Sequence, residues 1–294
     1  MANMTLPQTG PIHCGPSGWA HPQWQGLFYP ASRSKDFHQL AFAARFFNTV
    51  ELTSSFFSPL RSEHSRLWSY QVRSNPAFQF TARAWRKLTF EASPAPQEIS
   101  AFREGLRPLE EAGKLGAVLL QFPTAFRFTA ENRTRFLHLR RELRSLPLVA
   151  EFRHASWMEE DALALLIDSH TGFCNIDQPD HARAMPPTAF LTSPIAYTRL
   201  CGRTFSGPYR YTSEDLEDWA QRIRKSSRHA RRSFVVLANG AGPHTLVNTF
   251  QMKSLLGLAT VRAPHELVRR FPGELGAFRP DRPLQAGLFD TVAA

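Results

Sequence analysis

Short apolar runs recur along the chain, separated by stretches whose apolar positions repeat at helical spacing. Eight runs read as strands: Ile12 to Trp19, Thr49 to Phe57, Phe78 to Trp85, Gly116 to Pro123, Leu148 to His154, Phe173 to Pro179, Ile195 to Gly202 and Phe234 to Gly240. Between them, Phe37, Leu40, Ala41, Ala44 and Phe47 fall at i, i+3, i+4, i+7 and i+10, and Leu216, Trp219, Ala220 and Ile223 repeat that spacing, which lines one face of a helix. Further amphipathic helices are predicted near 60–73, 97–112, 130–144, 156–170 and 245–257. Helical crossovers imply parallel strands, and eight such units close into a (β/α)8 TIM-type barrel, here over 12–263 behind an N-terminal tail of residues 1–11. The sixth unit is irregular, because Asp180 to Pro194, with Pro186, Pro187 and Pro194, has no room for a full helix. From 264 to 294, Pro264, Pro272, Pro280 and Pro283 with interspersed glycines predict an extended strap and then a flexible tail.

The fifth run carries charge into what otherwise reads as a core strand. In Leu148 to Trp157, period-two alternation puts Glu151 and Arg153 on one face and Phe152 and His154 on the other, with His154 at the carboxyl end and Ser156 and Glu159 spaced as a capping box. Carboxyl ends of parallel strands are where α/β proteins place their chemistry. The same alternation turns Glu51, Thr53, Ser55, Thr81, Arg83, Gln121, Asn175, Asp177, Tyr197, Arg199, Cys201 and Asn239 inward. Three acids and three arginines then share one interior. Such a balanced set is either an ion-pair network that fixes barrel register or a ligand-binding mouth, since an unpaired buried charge costs several kcal/mol. Arg153 and Arg199, with Arg83, Glu151, Tyr197 and Asn239 nearby, are the candidate ligand contacts. His154 is the candidate proton carrier, with Glu51 or Asp177 to orient it. Ser17, in the turn Gly15-Pro16-Ser17-Gly18, could add a backbone anion site or form a plain turn.

Composition narrows the class without naming the function. At 43% hydrophobic and 20% charged, the 294 residues fit a globular protein, and length alone allows two domains as readily as one barrel. No apolar run reaches about 18 residues, and MANMTLPQTG lacks a signal-peptide pattern, so a cytoplasmic protein without a membrane partner is expected. Cys14, Cys174 and Cys201 lack metal-ligand spacing and read as reduced, buried thiols, with a three-strand metal site as the alternative; no cofactor and no metal is predicted. The net charge is +10, and 30 of the 35 basic residues are arginine. That favours an anionic partner, a small molecule or a nucleic-acid phosphate, although a G+C-rich genome gives the same bias. The bases Arg222, Arg224, Lys225, Arg228, Arg231 and Arg232 look like a nucleic-acid patch, but also complement the dipole of a helix begun by Glu214, Asp215, Glu217 and Asp218. There is no G-x-S-x-G, Walker A, H-E-x-x-H or strand-following G-x-G-x-x-G motif.

Several segments together resemble a known family. CGPSGWAHPQWQGLFYP, FFNTVELTSSFF, FQFTARAW, GAVLLQFP, EFRHASW, NIDQP, YTRLCG and YTSEDLEDWA occur in the order of the YecE-like family, domain of unknown function 72, over about residues 12 to 260. The resemblance implies a TIM-type barrel of unassigned activity, sometimes described as sugar-isomerase-related, with Glu51, Arg153, His154, Asp177 and Arg199 at the mouth. The chain also departs from the expected pattern. Thr53, Arg83, Phe90, Cys201 and the run Leu237-Ala238-Asn239-Gly240 stand where Asn, Lys, His, His and Phe-Asn-Asn-Asp are expected, which removes groups able to exchange protons near neutral pH. The implied function is anion binding, with a lyase, isomerase or hydrolase acting on a sugar phosphate or nucleic-acid end as its catalytic form.

A last motif points to a different class. Gln285-Ala286-Gly287-Leu288-Phe289 resembles the Q-x-x-L-F peptide by which bacterial replication and repair proteins dock on the DNA sliding clamp. Gln285, Leu288 and Phe289 would be the partner contacts of a non-catalytic binding module recruited to DNA; a hydrophobic latch onto the barrel, or a chance match, are the alternatives.

Overall fold

The computed structural model describes residues 10–32, 34–91, 93–258 and 262–281. Its strands are β1 (Ile12–Pro16), β2 (Thr49–Leu52), β3 (Gln79–Arg83), β4 (Leu115–Gln121), β5 (Leu148–Glu151), β6 (Gly172–Asp177), β7 (Ile195–Leu200) and β8 (Arg232–Leu237). They form one parallel sheet in the order β1-β8-β7-β6-β5-β4-β3-β2. The remaining seam, between β1 and β2, is joined by a parallel bridge of Ser17 with Glu51, where Gly18 N–H donates to the Glu51 carbonyl at 2.9 Å. Lower on that seam a side chain replaces the ladder: Asn48 Oδ1 accepts from Cys14 N–H (3.0 Å) and Asn48 Nδ2 donates to the Ile12 carbonyl (3.2 Å). Gly15 permits this approach, because a Cβ there would lie 1.9 Å from the Thr49 carbonyl oxygen. The architecture is therefore a single TIM-type barrel of eight parallel strands, nearly closed by hydrogen bonds.

The outer layer is α1 (Gln39–Ala43), α2 (Ser62–Gln71), α3 (Arg86–Phe90), α4 (Pro96–Glu111), α5 (Ala130–Glu142), α6 (Glu160–Asp168), α7 (Ser213–Ser227) and α8 (Pro243–Leu255). Helix α7 starts with a capping box, Thr212 Oγ1 accepting from Asp215 N–H and Asp215 Oδ2 from Thr212 N–H, both at 3.1 Å, and carries Arg224 and Lys225 in its last turn. The box expected at Ser156 and Glu159 does not form. A 3-10 turn, Ala155–Met158, comes first, the Ser156 hydroxyl accepts from Phe128 N–H (2.9 Å), and Glu159 starts α6 without a side-chain cap. No helix occurs over 178–194; Asn175 anchors this loop by accepting from the Thr188 hydroxyl and Phe190 N–H, each at 2.8 Å.

Residues 262–281 differ from the extended strap that proline content predicts. They fold as β9 (Arg262–Pro264), α9 (His265–Arg270), α10 (Pro272–Leu275) and β10 (Arg279–Asp281), with β9 and β10 paired in parallel. The reason is placement: Pro264 precedes α9 and Pro272 occupies the first turn of α10, where a missing N–H costs nothing. Leu267, Leu275 and Phe278 then bury against Phe28, Phe46, Phe47 and Phe250. Inside the barrel, Ala117, Leu119, Val149, Cys174, Ile195, Tyr197, Phe234 and Val236 form an apolar layer, with the charged layer at its carboxyl end.

Candidate functional site

The charged layer is organised on Arg199, which β7 projects inward two residues beyond Tyr197. Its Nε donates to Glu51 Oε2 (3.0 Å), Nη2 to Glu51 Oε1 (3.1 Å), and Nη1 to both Glu151 Oε2 and Cys201 Sγ (each 3.1 Å). Arg153 closes the chain through Nε and Nη2 to Glu151 Oε1, at 3.0 and 2.8 Å. Ser17 donates to Glu51 Oε1 (2.6 Å), and the Tyr197 hydroxyl lies 3.2 Å from Glu51 Oε2 and 3.0 Å from Thr81 Oγ1. Both glutamate side chains are wholly buried. Burial alone would raise the Glu151 carboxyl, but Arg199, Arg153 and Arg83 hold it below the ordinary value. Burial likewise opposes the charge of Arg199, and Cys201, Glu51 and Glu151 together outweigh it.

Around this network the rim is uneven. Arg83 donates from Nε to the neutral Gln121 Oε1 (3.1 Å), and its guanidinium stacks at 3.8 Å on the Phe56 ring. Among the described residues it has no carboxylate within ion-pair distance, and burial, then Arg199, push its pKa down against the pull of Glu51 and Glu151. Asp177 sits apart, paired with Arg203 Nε at 3.1 Å, and Arg203 in turn reaches Asp215 at the start of α7 (2.6 Å). Burial raises the Asp177 carboxyl despite that pair. Asn239 donates to the Tyr209 carbonyl (2.7 Å) and Asn248 Oδ1 (3.1 Å), fastening the loop before α7 to α8 rather than joining the network.

His154 is also elsewhere. Strand β5 ends at Glu151, and Phe152 turns to the helix layer, stacked on Trp157 with ring centroids 3.6 Å apart. The His154 ring faces Ser156: its Nδ1 accepts from Ser156 N–H (3.2 Å) and lies 2.8 Å from the hydroxyl. A backbone N–H only donates, so in the neutral ring the proton is on Nε2, which is buried and has no partner. An unsatisfied donor of this kind costs about 1–3 kcal/mol. Burial, followed by the charges of Arg127, Arg183 and His181, lowers the His154 pKa. No hydrogen bond joins His154 to Glu51 or Asp177 among the described residues, so the expected acid–base grouping is not assembled. The histidine tied to the network is His21, whose Nε2 donates to the Ser17 carbonyl (3.0 Å). Neither His21 nor Arg203 has a period-two signal, since both lie on turns; the left-handed Gly18 (φ 75°) in the turn between Ser17 and His21 is the local clue. Among the described residues no group of three or more His, Cys, Asp or Glu is placed to hold a metal ion, and no helix is long and apolar enough to cross a membrane. Gln285, Leu288 and Phe289 lie outside the described residues.

Comparison with known proteins places this geometry in a family. The chain is 25% identical over 275 residues to the UPF0759 protein YunF of Bacillus subtilis (strain 168), covering 84% of this chain and 95% of the relative. It superposes on a DUF72 family protein of Thermotoga maritima MSB8 with a TM-score of 0.73 at 26% identity, covering 84% of this chain and 99% of that one. A DUF72 family protein of Enterococcus faecalis V583 gives a TM-score of 0.74 at 22% identity, covering 84% and 96%. The family profile described as "protein of unknown function DUF72" matches residues 13–270, from β1 through α9 and including every residue of the charged layer. On that match the chain belongs to the DUF72 family of proteins of unknown function.

Proposed function

We propose that the carboxyl-end mouth of the barrel binds an anion, a phosphate or carboxylate group of a small molecule or a nucleic-acid end, through Arg83 and Arg153. The observation that carries this reading is that Arg83, among the described residues, has no carboxylate partner of its own at ion-pair distance. Arg199 has its donors committed to two buried carboxylates, whereas Arg83 meets a neutral amide and a ring face. Within the layer the two glutamates face three guanidinium groups, Arg83, Arg153 and Arg199, while Asp177 and Asp215 share Arg203 apart from them. A bound anion would supply the missing negative charge and relieve the repulsion between Arg83 and Arg199. Arg153, with its side chain 23% exposed, can present a free edge to solvent while keeping Glu151. Arg83 where the family resemblance implies lysine adds planar, two-pronged donation, which suits both groups. Binding is supported above turnover, because His154, Glu51 and Asp177 belong to three separate hydrogen-bonded groups.

Calorimetric titration with inorganic phosphate tests the reading. The expected result is saturable binding that weakens about tenfold or more in Arg83→Met, which keeps an apolar stem against Phe56 and removes the charge. Absence of binding to the wild-type protein, or equal binding by Arg83→Met, would refute it.

A further inference from the structure

The loops after β2 and β3 place an aromatic surface beside Arg83. A 3-10 turn, Ser54–Phe56, places Phe56 and Phe57 just past the carboxyl end of β2, and Trp85 precedes and Phe90 ends α3 on the next strand's loop. Trp85 Nε1 donates to the Phe57 carbonyl (3.0 Å), which fixes one loop against the other. The Phe56 ring meets Phe57 and Phe90 edge to face, with centroids 5.4 and 5.9 Å away, and its own face carries the Arg83 guanidinium. Phe57 is nevertheless 67% exposed and Phe90 41%. They line a cleft of about 320 Å³ with Trp85, Arg86, Lys87 and Glu91. Its cations are themselves aligned with rings: Lys87 Nζ lies 5.7 Å from the Trp85 ring and the Arg86 guanidinium 6.0 Å from Phe90. Lys87 is paired with Glu98, but Arg86 has no ion pair among the described residues.

Folding gains little from two phenylalanine faces left in water, and a contiguous exposed apolar patch is a mark of an interaction site. We propose that this cleft stacks a nucleobase whose phosphate is held at Arg83, so that the ligand of the mouth is a nucleotide or the end of a single strand rather than a phosphorylated sugar. The proposal rests on the anion-binding reading of the mouth and adds its specificity. Phe56 is the connection: it carries the Arg83 guanidinium on its face and contacts both rings that would take the base. Stacking is tolerant of base identity, because every base has a π face, and Arg86 favours the adjoining backbone.

Three probes separate the contributions: thymidine 5′-monophosphate, ribose 5-phosphate (the same phosphate without a base) and thymidine (the base without a phosphate). Binding is read by quenching of tryptophan fluorescence, with calorimetry in parallel. The expected order is thymidine monophosphate about tenfold or more tighter than ribose 5-phosphate, with that advantage lost in the double variant Phe57→Ala, Phe90→Ala and the variant's unfolding midpoint close to wild type. Equal binding of the two phosphates, or a double variant that keeps the preference, overturns the stacked base and leaves the anion site standing. Thymidine binding as tightly as its monophosphate, with Arg83→Met without effect, overturns the anion site and with it the placement proposed here. A 5′-phosphorylated tetrathymidylate that binds tighter than the mononucleotide supports a strand end as the source of the ligand; equal binding supports a free nucleotide. Both results uphold the stacked base.

Discussion

Glu151 shows most directly what each buried charge contributes, because two arginines depend on it and nothing replaces it. Glu151→Gln leaves Arg199 with one carboxylate and Arg153 with none, and a loss of about 3–5 kcal/mol in unfolding free energy is expected by chemical denaturation. The sign of its pH dependence follows from a folded pKa held below the unfolded value of about 4.5. Its contribution is present above that value and is lost as pH falls through the folded pKa, so wild type should lose stability below about pH 4.5 more steeply than Glu151→Gln. Lys253 gives a slope of the same sign in an alkaline window. Burial pushes its amine down to about 8, and the unfolded chain binds more protons between there and the ordinary 10.5. Wild type should therefore gain stability relative to Lys253→Met as pH rises from 8 to 10.5, by up to about 1.4 kcal/mol per pH unit. A gap between the two proteins that stays flat over that range would show that burial does not lower the Lys253 pKa. At this scale Glu51, Glu151, Arg153, Tyr197 and Arg199 were legible because side-chain alternation survives to the end of a strand and, at Arg153, just past it. His154, one step further, was not: its ring is claimed by Ser156 in a turn with no period to read.

Elements were legible where periodicity, rather than composition, decided them. The helices over 96–111 and 213–227 carry apolar stripes that need the sheet, 243–255 is buried on nearly all sides, and the absence of a helix before β7 follows from three prolines and a short span. Composition misled over 262–281, where prolines begin helices instead of preventing them. The β1–β2 seam was also invisible, since it depends on Asn48 standing in for backbone pairing, a role that no local pattern announces. It is testable on its own. Asn48→Ala leaves the buried Cys14 N–H without an acceptor, and a loss of about 1–3 kcal/mol is expected, with faster hydrogen exchange at Cys14 than at amides on the β7–β8 ladder. Uniform exchange across the barrel would mean that Asn48 does not hold the seam.

At the scale of the whole molecule, neither the net charge nor the fold selects a partner. A net charge of +10 raises the encounter rate with any polyanion but does not choose among them. The fold does not choose either, because TIM barrels serve many chemistries. The motif Gln285-Ala286-Gly287-Leu288-Phe289 would supply the choice by a separate route: a peptide that seats Leu288 and Phe289 in an apolar pocket of the sliding clamp, with Gln285 making polar contacts, would bring the mouth to DNA. Its modest affinity would be raised whenever the barrel also holds the strand, because the second contact is then intramolecular. The expected outcome is that a synthetic peptide of Pro283 to Ala294 competes with a known clamp-binding peptide for purified bacterial clamp, and that Leu288→Ala with Phe289→Ala abolishes capture of the full-length protein. Arg83→Met should leave capture unchanged on the clamp alone and weaken it on clamp loaded on DNA with an exposed 5′-phosphate. If the peptide does not compete, the tail has no part in recruitment and the mouth must find its anion unaided.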